Sequence, residues 1–338
     1  MSAIPQGAIR FNTDSQKLEF YAQDQWWEMV IDSPNLGTSS DTTAGARGVF
    51  GGGSNAPGPA PDTNTIEYIN ISSTGNAQDF GDLARKGRHA CALASNNRGL
   101  FAGGYLSGSS GTNSIEYITI SSTGNAQDFG DLINPTWSLG SCSNQNRGIF
   151  ASGAGPYNVI QYVTIASTGN ARDFGDLFNA NRDTMGFSSP TRGIFGNGNP
   201  APVALNTVEY ITIASTGNSQ DFGDLTAGGI YSRSTGSNGT RGIFGPRETV
   251  PYEYVTISSK GNTTDFGDSL KLNANSSFGS SDRTRLVTAG GDNPTAFLTI
   301  EYVTISTQGN AVNFGNLIAD GGSFYQTAGA CSNAHGGL

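Results

Sequence analysis

Residues 114–132 read SIEYITISSTGNAQDFGDL, and residues 65–83 read TIEYINISSTGNAQDFGDL. Two such segments in one chain point to internal repetition, and a fixed period dictates architecture. The segment returns with drift, ending at Leu177, Leu225, Leu270 and Leu317. Its phenylalanine falls at Phe80, Phe129, Phe174, Phe222, Phe266 and Phe314, at spacings of 49, 45, 48, 44 and 48 residues. An Arg-Gly-apolar-Phe element precedes each copy, at Arg47, Arg98, Arg147, Arg192, Arg241 and Arg285. The sixth copy departs and reads Arg285-Leu286-Val287-Thr288.

Each period reads as four short strands. In the second copy, His89 to Ser95 is a first strand of small and apolar residues, followed by an Asn96-Asn97 turn. Arg98 to Ala102 is a second strand, ended by Gly103-Gly104. Ser114 to Ser121 alternates Ile115, Tyr117 and Thr119 against Glu116, Ile118 and Ile120, the period-2 signature of a third strand. Ser122-Thr123-Gly124-Asn125 is a turn, and Gln127 to Leu132 a short fourth strand. Helical periodicity is absent. Four strands per 40–50 residues describe a β-propeller blade, whereas β-rich solenoids repeat at about 20–30 residues.

The two ends complement each other. Ala328-Gly329-Ala330-Cys331-Ser332-Asn333 at the C-terminus matches Gly140-Ser141-Cys142-Ser143-Asn144 as a first strand and turn. At the N-terminus, Lys17-Leu18-Glu19-Phe20-Tyr21 resembles the Glu-Tyr strand, and Gln25 to Val30 takes the place of the fourth strand. A ring without edge strands resists aggregation. The expectation is an all-β, seven-bladed propeller. Residues 1–31 contribute N-terminal strands, 32–322 hold six repeats, and 323–338 complete a composite closing blade. The alternative is a six-bladed ring with residues 1–31 as a separate hairpin.

The repeats resemble the kelch family, with a strand ending in Gly51-Gly52, Gly103-Gly104 or Gly290-Gly291, then a Glu-Tyr strand, then a short strand with a central aromatic. Phe80 and its copies stand where kelch repeats carry tryptophan. The wording Ile-Glu-Tyr-Ile-Thr-Ile-Ser-Ser-Thr-Gly-Asn-Ala-Gln-Asp-Phe-Gly-Asp-Leu is similar to repeats in virion structural proteins of tailed phages of marine cyanobacteria. The N-terminal Gly7 to Asp14, with Leu18 to Tyr21 and Trp26, is similar to a short β-element of phage tail fibres and appendages. The resemblance implies a kelch-like propeller in a virion. The repeats cover about residues 40–318.

Composition narrows the classes. No apolar run approaches the 18 residues that span a bilayer, and the first residues lack a basic n-region and an apolar h-region. A net charge of −9 argues against nucleic acid as a partner. Three cysteines, Cys91, Cys142 and Cys331, all in first strands, read as buried free thiols. With two histidines, His89 and His335, the sequence offers no metal-ligand spacing and no triad repeated around the fold. Gly51-Gly52-Gly53-Ser54 lacks the Lys-Ser/Thr ending of a P-loop, and no Gly-x-Ser-x-Gly elbow occurs. Asn70-Ile71-Ser72 and Asn238-Gly239-Thr240 fit the glycosylation pattern but carry no weight without a signal peptide. No enzyme, cofactor or metal is expected.

Repetition itself discounts several candidates. Asp79 and Asp82 recur in five copies and become Asn313 and Asn316 in the sixth, so they read as framework acids that bond nearby amides. Arg47 and Glu67, with their copies, read as a cross-strand pair; Gln161 in the third copy shows that charge is dispensable. Of 30 Phe and Tyr residues, 17 occupy repeat positions and read as core. The binding candidates are residues in the variable connections: Tyr105, Trp137, Tyr157, Phe178, Tyr231, Arg247 and Phe297. Second-to-third and fourth-to-first connections vary and share one face, while the Ser/Thr-x-Gly-Asn turns on the other are uniform; diversified loops suit recognition. Trp26 and Trp27 are candidate docking anchors if residues 1–31 stand apart.

The reading is a non-enzymatic virion structural protein, made in the host cytoplasm and present in multiple copies in a tail, baseplate or fibre. It docks other virion proteins or a host surface protein or glycan, without membrane insertion. Alternatives are a head decoration protein and a lectin-like propeller.

Overall fold

The computed structural model describes residues 5, 7–12, 17–28, 46–55, 62–106, 111–155, 157–198, 205–228, 234–246, 250–271, 276–291, 298–318, 325–326 and 328–338. The described residues form strands and turns and no helix. The chain divides into two units, Met1–Thr43 and Ala44–Leu338.

The first unit holds a three-stranded antiparallel sheet of Ile9–Asn12, Lys17–Ala22 and Gln25–Glu28. Its tight turn places Gln23 and Asp24 at φ 52° and 58°, the left-handed pair that suits a two-residue hairpin. The Arg10 guanidinium lies 4.2 Å from the Trp26 ring centre and bonds Glu19 at 2.8 Å.

Among its described residues, the second unit contains six four-stranded antiparallel sheets in a propeller-like arrangement. In repeat two the strands are Cys91–Ala94, Arg98–Ala102, Thr112–Thr119 and Gln127–Thr136. First strands of neighbouring repeats pack on each other in chain order, and Phe278–Ser281 of repeat six packs on Gly329–Ser332. Serine hydroxyls join them: Ser143 Oγ donates to Ala94 O at 2.7 Å, Ser188 Oγ to Ser143 O at 2.6 Å, and Ser237 Oγ to Ser188 O at 2.5 Å.

Each apolar cluster combines two neighbouring repeats. One joins Phe80 and Leu83 of repeat one to Phe101 and Ile118 of repeat two, and another joins Phe314 of repeat six to Ile69 of repeat one. A bulge repeated in each four-stranded sheet aims the key aromatic inward. Ile66 faces Gly81 and Glu67 faces Asp79, so Phe80 is the extra residue; it is buried with its ring 5.9 Å from Tyr68.

The sheet order departs from the expected composite blade of N- and C-terminal strands. Among the described residues, the N-terminal strands pair only with one another. Gly329–Ser332 pairs with Arg47–Gly51 and so completes the sheet of repeat one, with Thr65–Asn70 and Gln78–Asp82. The C-terminal strand matches a first strand because it is the one that repeat one requires, rather than the start of another blade.

The expected Arg47–Glu67 pairing is also corrected. Antiparallel register sets Arg47 opposite Asn70 and Phe50 opposite Glu67. Arg47 instead lies over the Tyr68 ring at 4.8 Å and donates to Ile120 O of repeat two at 2.8 Å. The contact recurs from Arg98, Arg147, Arg192 and Arg241 to the following repeat, and from Arg285 to Ile71 of repeat one. The glutamates reach the other way. Glu116 Oε2 accepts from Ala84 N of repeat one at 2.8 Å, and Glu67 Oε2 accepts from Ile318 N of repeat six at 3.1 Å. Gln161 does the same with Ile133 N at 2.8 Å, because a neutral amide oxygen meets the same demand.

Candidate functional site

The uniform turns are occupied by the fold. Gly124 N donates to Phe80 O, Ala126 N to Asp82 O, and Asn125 Oδ1 accepts from Asp82 N, all across the boundary between repeats one and two. The set recurs at each boundary, including Gly75 N to Phe314 O between repeats one and six. These turns cover the outer edge of the preceding sheet, the edge that otherwise recruits other chains. The amide-bonding role expected of the framework acids belongs to these asparagines: Asp82 takes part through its backbone, and Asp79 is exposed.

The opposite ends of the sheets carry the variable connections. There the glutamate clasp fixes, by its N–H, the residue that follows the repeat leucine, a place taken by Ser269 in the fifth copy, and in three repeats a large apolar side chain at that position faces outward. Ile133 is 44% exposed, Phe178 54% and Leu270 53%. Phe178 N donates to Glu209 Oε2 at 2.9 Å and Leu270 N to Glu301 Oε2 at 2.9 Å. Phe178 was expected from the sequence. Ile133 and Leu270 are not among the sequence candidates: Ile133 opens an apolar connection, and Leu270 reads as the repeat leucine, a place that the clasp gives to Ser269. The missed signal is that this position varies among Ala84, Ile133, Phe178, Thr226, Leu270 and Ile318.

Three other candidates lie on the same face but are half-buried. Tyr105 and Trp137 meet edge-on with ring centres 5.5 Å apart, and Arg88 lies 5.0 Å from the Tyr105 ring centre. Arg88 is in turn 3.5 Å from the buried Asp62. Tyr157 is tied in through its backbone, donating to Gly153 O and accepting from Asn181 N. Tyr231, Arg247 and Phe297 lie outside the described residues, as does the Trp27 side chain; Trp26 is half-buried.

The boundary between repeats five and six departs from the others. Tyr252 stands where other repeats have Ile or Val, and Thr288 where they have Phe. Glu301 Oε1 accepts from Tyr252 Oη at 2.7 Å and from Ser269 Oγ at 2.6 Å. Lys271 is buried, and its Nζ donates to Gly290 O at 3.0 Å. Burial pulls its pKa down to about 8, with Glu301 opposing, and pushes the Tyr252 phenol upward.

A cavity of about 90 Å³ lies among the first strands of all six repeats. His335 reaches into its wall, with Nε2 2.9 Å from Ala94 O and 3.1 Å from Ser143 Oγ. Burial lowers the His335 pKa to about 4. The chain after it donates from Gly336 N to Ser237 O at 3.0 Å and accepts from Arg283 at Leu338 O. Among the described residues, the cavity lining bears no carboxylate, lysine or arginine. The three cysteines are buried and form no disulfide, and Cys91 Sγ donates to Ala102 O at 3.5 Å.

Compared with protein-family models and with curated proteins, the chain matches none.

Proposed function

We propose that the six sheets are the blades of a closed six-bladed propeller, and that the chain is a non-enzymatic interaction module of a phage particle, in its tail, baseplate or fibre assembly. The cyclic clasps from Arg285 to Ile71 and from Ile318 to Glu67 support closure. The virion reading rests on the resemblance of the repeats and of the N-terminal element to phage structural proteins. The observation that carries the docking role is the contrast between the two faces. One spends its turns on neighbouring repeats; the other leaves Ile133, Phe178 and Leu270 outward at one repeat position. Outward apolar side chains at equivalent positions suit burial against a partner.

The test is assembly. Ile133→Ser with Phe178→Ser leaves the melting temperature unchanged and lowers incorporation into particles. Contacts on the Gly124-Asn125 type of turn in a particle reconstruction, with Phe178 in solvent, overturn the reading. Enzymatic turnover localised to the variable face overturns the non-enzymatic part.

A further inference from the structure

The boundary between repeats one and two holds a cleft. Its cavity of about 30 Å³ is lined by Leu83, Arg85, Leu106, Ser114 and Glu116, among others. Ser114 is 4% exposed, and its Oγ has no hydrogen-bond partner. Glu116 spends Oε2 on Ala84 N, and its Oε1 has Arg85 Nε 3.9 Å away. Arg85 also donates from Nη1 to Thr112 Oγ1 at 2.8 Å, so the guanidinium stays beside the cleft.

The five–six boundary displays what this carboxylate binds when it is offered hydroxyls. There Glu301 Oε1 accepts from Tyr252 Oη and Ser269 Oγ. The residues at those two positions in the one–two boundary are Ile66 and Leu83, which carry no hydroxyl. Glu116 Oε1 and Ser114 Oγ are left to the cavity instead. Burying a hydroxyl without a partner is unfavourable, and a ligand hydroxyl restores the missing bond.

We infer that the cleft between repeats one and two takes a hydroxymethyl group of a neutral sugar, held by Glu116, Ser114 and Arg85. The size fits, since a water-sized group needs about 10–15 Å³ by this measure. One carboxylate beside one guanidinium favours a neutral ligand over an ion. Apolar Leu83 and Leu106 suit the carbon skeleton. The site is independent of the docking reading, because its residues are distinct from Ile133, Phe178 and Leu270.

Saturation-transfer difference NMR on the full chain, with methyl β-D-glucopyranoside and methyl α-D-mannopyranoside as separate probes, tests it. Transfer to the C6 protons of at least one probe is expected. Ser114→Val, which fills the cleft with the residue found at the equivalent Val159, lowers affinity at least tenfold. Glu116→Gln, the residue at the equivalent Gln161, keeps the Ala84 bond and also weakens binding. Unchanged melting temperatures separate these losses from misfolding. No transfer from either probe leaves only water in the cleft and overturns the inference. Equal transfer in Ser114→Val and the parent chain also overturns it.

Discussion

Gly124 N donates to Phe80 O at 2.7 Å, from the turn of one repeat to the outer strand of the repeat before it. This contact explains the glycine that follows Phe80. Gly81 has φ 145°, and a Cβ there lies 2.5 Å from Gly124 O. Neither the backbone conformation nor the space admits a side chain.

Gly81→Ala therefore costs about 2–4 kcal/mol, combining backbone strain with displacement of the clipped turn. Gly75→Ala is the control, because a Cβ there meets nothing within 4 Å. It stays within about 0.5 kcal/mol of the parent. Urea denaturation midpoints at constant slope measure both.

Glu209→Gln is expected to be neutral or stabilising at pH 7, while Glu209→Leu costs about 1–3 kcal/mol by stranding Phe178 N–H. Burial raises the Glu209 pKa, against bonds from Ser219 and Phe178 N, with Asp221 adding to the rise. The folded chain holds this proton more tightly than the unfolded chain. Its contribution is present below the unfolded value and is lost as pH rises through the folded value. Glutamine removes that loss and keeps the acceptor, as Gln161 does. Denaturation midpoints between pH 4 and 8 separate the two variants.

The strands were legible because six copies repeat the same alternation, and the buried Phe80 set followed from its recurrence. Long-range partnership was not legible. Nothing local in Gly329–Ser332 says whether it opens a new blade or completes repeat one. Arg47 and Glu67 seemed paired because both begin strands, but antiparallel register separates them and sends each to a different repeat. The variable face was visible in its loop lengths. Its exposed members were harder to see, since Tyr105 and Trp137 pack on each other while Ile133 does not pack away.

That packing alters what Tyr105 does for stability. A loop tyrosine in solvent costs under about 1 kcal/mol when truncated. With Trp137 and Arg88 against its ring, Tyr105→Ala costs about 1–2 kcal/mol. Phe129→Ala, fully inside, costs about 3–5 kcal/mol. Equal losses for the two would contradict the half-buried setting of Tyr105.

His335 makes stability depend on acid. Its Nδ1 accepts from Gly337 N at 3.1 Å, so a second ring proton displaces that bond. The folded pKa of about 4 lies below the ordinary 6.5, owing first to burial, with the Ala94 bond opposing and Arg283 adding to the fall. The unfolded chain binds the proton more tightly. The contribution is full above pH 6.5 and declines as pH falls to about 4, by up to about 3 kcal/mol at 1.36 kcal/mol per unit. His335→Gln flattens this part of the stability–pH curve. An unchanged slope between pH 6.5 and 4 would sink the assignment.

Tyr252 and Thr288 form a compensating exchange across the five–six boundary. Other repeats place a smaller Ile or Val at the first position and, except in repeat six, a larger Phe at the second. Tyr252 is fully buried, and its hydroxyl reaches Glu301. Thr288→Phe alone forces a ring against the tyrosine, and overpacking costs about 1–3 kcal/mol. Tyr252→Ile alone leaves a void and removes a hydroxyl from Glu301, at about 2–4 kcal/mol. Together they restore the pairing of the other boundaries, so the double variant loses less than the sum, with a favourable coupling of at least about 1 kcal/mol. Additive losses would show that the two positions are independent. Lys271→Met tests the rest of the cluster. The lysine titrates near 8 when folded and 10.5 ordinarily, so the chain gains stability as pH rises through that interval. Methionine has no charge to desolvate and removes that slope, which thermal melts between pH 7 and 10.5 read directly.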